Sequence, residues 1–323
     1  MSGNYSILVG TTGAGLFQSA DGGDNWSRIR DPIPGESQIR ALEVDPQSPN
    51  VVFAGSNNGI YRSEDSGSSW VKLDSPMEGL NIWSIAIDPS ESNTIFVGTS
   101  PPYLFRSKDG GLNWQKLTVE LADECPAVII PRVTALMVDP VAHNNVWAGI
   151  EVDGVRHSKD GGDTWEVVKE GVTDPDIHNF TITVGPPKTL LTITPREIFS
   201  STDDGVNWEP VSVLKQVSIP YCRAVVVKPD DPQVIFIGNG ESAFGGVGAL
   251  HRSGDRGKTW ETLPLPVEPN GTVWDLAAHP ADSDFLLAST VNGQVFCTAD
   301  GGDSWTKFKR DFGEVHALAW VPN

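Results

Sequence analysis

One short segment recurs seven times along the chain. It first reads Ser19-Ala20-Asp21-Gly22-Gly23-Asp24-Asn25-Trp26, and later copies begin at Ser63, Ser107, Ser158, Ser201, Ser253 and Thr298. Each keeps the pattern Ser/Thr-x-Asp-x-Gly-x-(Asn/Ser/Thr)-Trp, and the copies start 44, 44, 51, 43, 52 and 45 residues apart. A period of this length, sustained over 323 residues, demands a repeat architecture in which each unit buries its faces against its neighbours.

A constant frame surrounds each copy. Ile39-Arg40-Ala41-Leu42-Glu43-Val44 alternates and ends at Asp45-Pro46. The apolar run Val51-Val52-Phe53-Ala54-Gly55 follows, then Gly59-Ile60-Tyr61-Arg62 before the segment and Val71-Lys72-Leu73 after its Trp. No stretch sustains a helical period, so the frame predicts four short strands, A to D, with the segment at the C–D turn. Four strands in about 45 residues make one propeller blade. The chain opens on the B-like Ser6-Ile7-Leu8-Val9-Gly10 and ends on the A-like Val315-His316-Ala317-Leu318-Ala319-Trp320. The expected fold is therefore all-β: one seven-bladed β-propeller over residues 1–323. Blade one combines residues 5–30 with 314–322, a closure that removes an exposed sheet edge.

The repeated segment resembles the Asp-box, or bacterial neuraminidase (BNR), repeat, and the resemblance covers essentially the whole chain. It implies kinship with propellers that include sialidases, xyloglucan-active glycoside hydrolases, sortilin-type receptors and photosystem II assembly factors. Sialidases have six blades where seven are expected here. Ile130-Pro131-Arg132 is similar to the start of a sialidase arginine motif, but it stands mid-chain in blade four. Xyloglucan-active enzymes place their cleft between two propellers, and one is expected here. Assembly factors match in size and blade number, but they work through surfaces where a basic patch is expected.

Charge opposes that last likeness. The chain carries 42 Asp plus Glu against 23 Lys plus Arg, a formal net charge of −19. Nucleic acid and anionic membranes need a basic surface, so neither is an expected partner. The repeat explains much of the high Gly content, 33 residues in all, and supplies seven of the 11 Trp. Its Asp accepts bonds from turn N–H groups, its Gly supplies a positive φ, and its Trp packs between blades. These residues are read as scaffold. Cys125, Cys222 and Cys297 are odd in number and widely spaced, which fits reduced thiols. The N-terminus shows neither a basic n-region nor a long apolar run, so a cytoplasmic location is expected.

Function is expected where repeats differ. Aligning the A strands on their terminal Asp-Pro or equivalent puts Arg40, Trp83, Thr134, Phe180, Arg223, Trp274 and His316 at one position around the axis. Arg40 and Arg223 would clamp an anionic group bidentately, and Trp83, Trp274 and Phe180 would wall off water. His316 would act as acid or base. Two residues earlier, a polar layer contains Arg132, His178 and Tyr221, with Glu314 beside His316. Arg132 joins the substrate-binding set. His178, Tyr221 and Glu241 are further acid–base candidates, Glu241 from the glycine-rich B–C insertion 239–248 of blade six. Those glycines suit a mobile flap or a close backbone approach to a ligand. The opposing reading is a channel plugged by large side chains.

No metal or other cofactor is expected. Three functions remain in play. The first is a small-molecule hydrolase or lyase whose ligand sits on the axis. The second is a non-catalytic binding or assembly propeller. The third is a glycoside hydrolase pairing Glu241 with Glu151, Asp153 or Glu314, which needs carboxylates about 5–10 Å apart.

Overall fold

A computed structural model describes residues 5–125, 128–168, 170–217 and 219–322. The first four residues, and residues 126 and 127 of the Thr118–Arg132 loop, lie outside the described residues.

Seven four-stranded antiparallel sheets make up the chain. The A strands of blades two to seven are Ile39–Val44, Asn81–Ile87, Val133–Val138, Asn179–Thr183, Tyr221–Lys228 and Val273–His279. In each of these blades the strands pair in chain order, A to D. The remaining sheet takes Val315–Pro322 as strand A beside Tyr5–Thr11, Gly15–Ser19 and Ser27–Arg28. The fold is a seven-bladed β-propeller. Among the described residues the one helical element is a 3₁₀ turn at Val213–Lys215.

The chain divides into two compact units. One comprises Met1–Val168, Pro175–Ile177 and Val321–Asn323; the other comprises Lys169–Asp174 and His178–Trp320. In the first unit Phe53, Ile85, Val97 and Phe105 form one apolar cluster, and Phe96, Val133, Val146 and Ala148 form another. In the second, Leu191, Val225, Ile235 and Ile237 form one, and Phe236, Leu250, Leu286 and Phe296 another. Each cluster draws on two successive sheets, so the core lies between blades. The B strands Val52–Ser56, Val146–Ile150 and Thr189–Ile193 are buried throughout. That is why they read as continuous apolar runs, and each fully buried Val, Leu, Ile or Phe contributes about 1.5–3 kcal/mol. The two-residue D strands Val71–Lys72 and Gln115–Lys116 are exposed.

Glycines in the B strands let neighbouring blades close up. A Cβ at Gly55 would stand 2.3 Å from Ile82 Cγ2, and one at Gly98 would stand 2.5 Å from Val133 Cγ1. Ile82 and Val133 immediately precede Trp83 and Thr134, so this tight packing fixes the strand segment that carries the candidate site.

The C–D turns are built alike. In the first, the Ser19 hydroxyl donates to Asp21, and Gly23 N–H donates to Ser19 Oγ. Asn25 donates to Asp21 from both backbone and side chain, and the Trp26 indole donates to the Gly23 carbonyl. Equivalent indole bonds hold Trp70, Trp114, Trp165, Trp208 and Trp305. Trp260 departs from the rule: its buried indole N–H has no hydrogen-bond partner among the described residues. Bonds from the residue four positions on hold Asp21, Asp160, Asp203 and Asp300 down at about 2. These carboxylates are fully committed to the turns.

Candidate functional site

Five A strands break register at the position singled out by the sequence. The breaks fall between Ile39 and Ala41, Ile82 and Ser84, Val133 and Ala135, Cys222 and Ala224, and Val273 and Asp275. The extra residues are Arg40, Trp83, Thr134, Arg223 and Trp274. A bulge leaves one residue outside the ladder and re-aims its side chain. Long polar and aromatic groups can therefore interrupt strands whose neighbouring positions are packed.

In the first unit Trp83 is contacted by two guanidinium groups. Arg40 Cζ lies 4.3 Å from its ring centroid and Arg132 Cζ lies 4.4 Å away, both within cation–π range. Arg40 Nη2 donates to Gln38 Oε1 at 2.9 Å. Arg132 Nε is 2.5 Å from Glu151 Oε2. These groups line a cavity of about 370 Å³ together with Asn81, Ser100, Val128, Ile129 and Ile130. Among the described residues that line it none is acidic, and the nearby Glu151 is paired with Arg132. Two arginines, one indole and an apolar rim suit an anionic ligand with a flat or apolar portion. Thr134 turns away from such a role: its hydroxyl donates to the Ile177 carbonyl.

In the second unit Arg223 Cζ lies 4.1 Å from the Trp274 ring centroid. The His316 ring meets Trp274 edge-on at 4.7 Å, and His316 Nε2 lies 2.5 Å from Glu314 Oε1. Phe244, 72% exposed, stacks on Trp274 at 6.2 Å. Asp275 follows Trp274. Desolvation pushes its carboxyl up to about 7, against the opposing pull of the Leu318 and Leu276 backbone N–H groups and of the Arg223 charge. A second cluster joins His178 and Tyr221, whose ring centroids are 5.1 Å apart.

Two sequence expectations need correction. Phe180 does not serve as a wall beside the Arg–Trp pair. Its strand pairs in regular register, and its ring packs at 6.2 Å on Trp208 in the blade core. Without a bulge, that position keeps its place in the core. Glu241 is exposed and turned into its own loop, where Oε1 accepts the Gly246 N–H at 2.7 Å. The insertion is also no loose flap. Cβ atoms at Gly240 and Gly248 would collide with Thr272 and Gly271, and Thr272 Oγ1 donates to the Ser242 carbonyl at 2.5 Å. Its glycines permit close approach to the chain's own backbone.

Phe244 and Asp275 were missed. Nothing in the insertion's composition says where Phe244 points. Asp275 did leave a signal, because the equivalent residues in the other A strands are uncharged: Ala41, Ser84, Ala135, Thr181, Ala224 and Ala317. Cys222 is fully buried, and desolvation pushes its thiol up to about 12, which disfavours the thiolate that a nucleophile needs. Burial likewise lowers His251 to about 4.

The family model described as Sortilin-Vps10 (sortilin, neurotensin receptor 3) matches residues 58–179 and 196–321. The chain belongs to the Sortilin-Vps10 family. Sortilin from Danio rerio is 24% identical to this family member over 122 residues, which are 38% of this chain and 14% of sortilin. The GH74 xyloglucanase from Xanthomonas campestris superposes with a TM-score of 0.68 at 18% identity, covering 99% of this chain and 54% of the enzyme. YCF48 bound to D1 peptide superposes with a TM-score of 0.58 at 16% identity, covering 86% of each chain. These two likenesses show the propeller fold that this Sortilin-Vps10 chain shares with a glycoside hydrolase and with a peptide-bound protein. Among the described residues no helix is long and apolar enough to cross a membrane.

Proposed function

We propose that the chain is a non-catalytic binding propeller for an anionic ligand with a flat or apolar portion, and that a peptide with a free C-terminal carboxylate is its best-fitting form. The observation that carries this reading is the cavity lined by Arg40, Trp83 and Arg132, with no acidic residue among the described lining residues, in a chain of net charge −19. A carboxylate gains charge-assisted hydrogen bonds there, and an apolar side chain gains cover from Val128, Ile129 and Ile130. The description neurotensin receptor for the family, and the D1 peptide on YCF48, support a peptide over other anions.

A hexapeptide library with free C-termini, screened by thermal shift beside the same library amidated, tests the proposal. Stabilisation by free-acid peptides alone is expected. Equal responses to both libraries, or none, would overturn it.

A small-molecule enzyme is the second reading. It is favoured by Asp275, whose carboxyl is raised and which follows Trp274, the ring that His316 meets edge-on, since acids and bases tuned towards neutrality mark catalytic sites. Glycoside chemistry has less support, because each carboxylate proposed for it is already engaged. Glu151 pairs with Arg132, Asp153 with Arg156, Glu314 with His316, and Glu241 with Gly246 N–H.

A further inference from the structure

Arg132 is tied twice to the turn Glu151-Val152-Asp153. Its carbonyl accepts the Glu151 N–H at 2.9 Å, and its Nε lies 2.5 Å from Glu151 Oε2. The Glu151 side chain is only 13% exposed, so the pair is largely withdrawn from water. The next carboxylate is settled elsewhere: Asp153 Oδ2 accepts Arg156 Nη2 at 2.7 Å and the Ala122 N–H at 2.9 Å, so it adds no net charge. The backbone marks the same place. Among the described residues six non-glycine residues have a positive φ, and only two of them are β-branched: Ile129 at 68° and Val152 at 62°. Ile129 lines the cavity, and Val152 stands between Glu151 and Asp153. A β-branched residue is strained in the left-handed region, and such strain persists where a functional site needs the direction it gives.

Among the described residues, the cavity and its ion pair thus set two guanidinium groups, Arg40 and Arg132, against one carboxylate. A singly charged anion brings that group to neutrality. A dianion leaves a negative charge uncompensated beside Glu151, which a partly enclosed site penalises. Two guanidinium groups without the carboxylate would instead match a phosphoryl dianion. We infer that Glu151 is a specificity-determining residue of this cavity, one that sets its charge so that it takes a monoanionic carboxylate and rejects a phosphoryl dianion. The inference rests on the anion-binding reading proposed above and narrows it to one charge class of ligand.

The probes are 3-phenylpropionate and benzyl phosphate, each a flat ring joined to one anionic group. At about pH 8 the first carries a single negative charge and the second close to two. Saturation-transfer NMR on the full chain reads both affinities. Wild type is expected to bind 3-phenylpropionate roughly tenfold tighter than benzyl phosphate. Glu151→Gln removes the opposing carboxylate, so the affinity for benzyl phosphate should rise until that preference is cancelled or inverted. A preference that Glu151→Gln leaves unchanged, or a wild type that favours benzyl phosphate, overturns this inference while the anion-binding reading stands. If wild type takes up neither probe, that reading falls and the inference falls with it. Should Glu151→Gln fail to fold, wild type decides between about pH 5.5 and about pH 8, across the second phosphate ionisation near pH 6. The affinity for benzyl phosphate should fall severalfold over that range while the affinity for 3-phenylpropionate holds. Parallel trends for the two probes would overturn the inference.

Discussion

The C–D turns carry the same hydrogen bonds blade after blade, whereas the five A-strand bulges carry Arg, Trp, Thr, Arg and Trp. Both are local departures from plain strand geometry. In the turns the special residues, the Trp260 indole excepted, are used up within their own repeat: Asp21 by Ser19 and Asn25, the Trp26 indole by Gly23. At the bulges the side chains reach to other strands, as Arg40 does to Trp83 and Arg223 to Trp274. Repetition closes a structural problem once and copies the answer. Divergence at a fixed position points to a demand placed on one blade and not on the next.

The largest expected effect tests whether the turns are the scaffold. Trp208 is buried against Phe180 and bonded to Gly205. Trp208→Ala should cost about 3–5 kcal/mol, read from urea unfolding. Trp83→Ala should cost clearly less stability while abolishing peptide binding. Equal losses of stability would erase the distinction.

Asp275 sharpens the comparison, because an acid stands where most other A strands have Ala. Its carboxyl is raised to about 7 in the fold, from an ordinary 3.8. A raised carboxyl favours the folded state fully at low pH and loses that contribution as pH climbs from about 4 to about 7. Asp275→Asn should therefore melt a few degrees above wild type at pH 8, and the gap should close towards pH 4. A gap that does not change with pH would contradict the assignment.

The smallest effect lies within the turns. Trp305 donates to Gly302, while the Trp260 indole N–H has no hydrogen-bond partner among the described residues. Trp305→Phe should cost about 1 kcal/mol more than Trp260→Phe, measured in parallel unfolding curves.

Much of this was legible in the sequence because the repeat made seven independent copies of one pattern comparable. The C–D turns, the blade count and the bulge residues Arg40, Trp83, Arg223 and Trp274 all came from alignment. Alignment misled at Phe180, where Gly185-Pro186 replaces Asp-Pro and the strand lacks a bulge. A strand pattern specifies which face a residue takes only while register holds. Glu241 and Phe244 were illegible for another reason: they sit in an insertion with no counterpart in other blades, so only packing against Thr272 and Trp274 decides their direction.

The central claim is that ligand recognition lives at the bulges and their neighbours, not in the turns. Isothermal titration of the best free-acid hexapeptide against wild type, the Arg40→Met/Arg132→Met double variant and Arg62→Met tests it most directly. Arg62 lies on a C strand, paired with Glu64. The double variant should lose at least tenfold in affinity with its fold intact, and Arg62→Met should bind as wild type. Undiminished binding by the double variant, or an equal loss in Arg62→Met, would contradict the account.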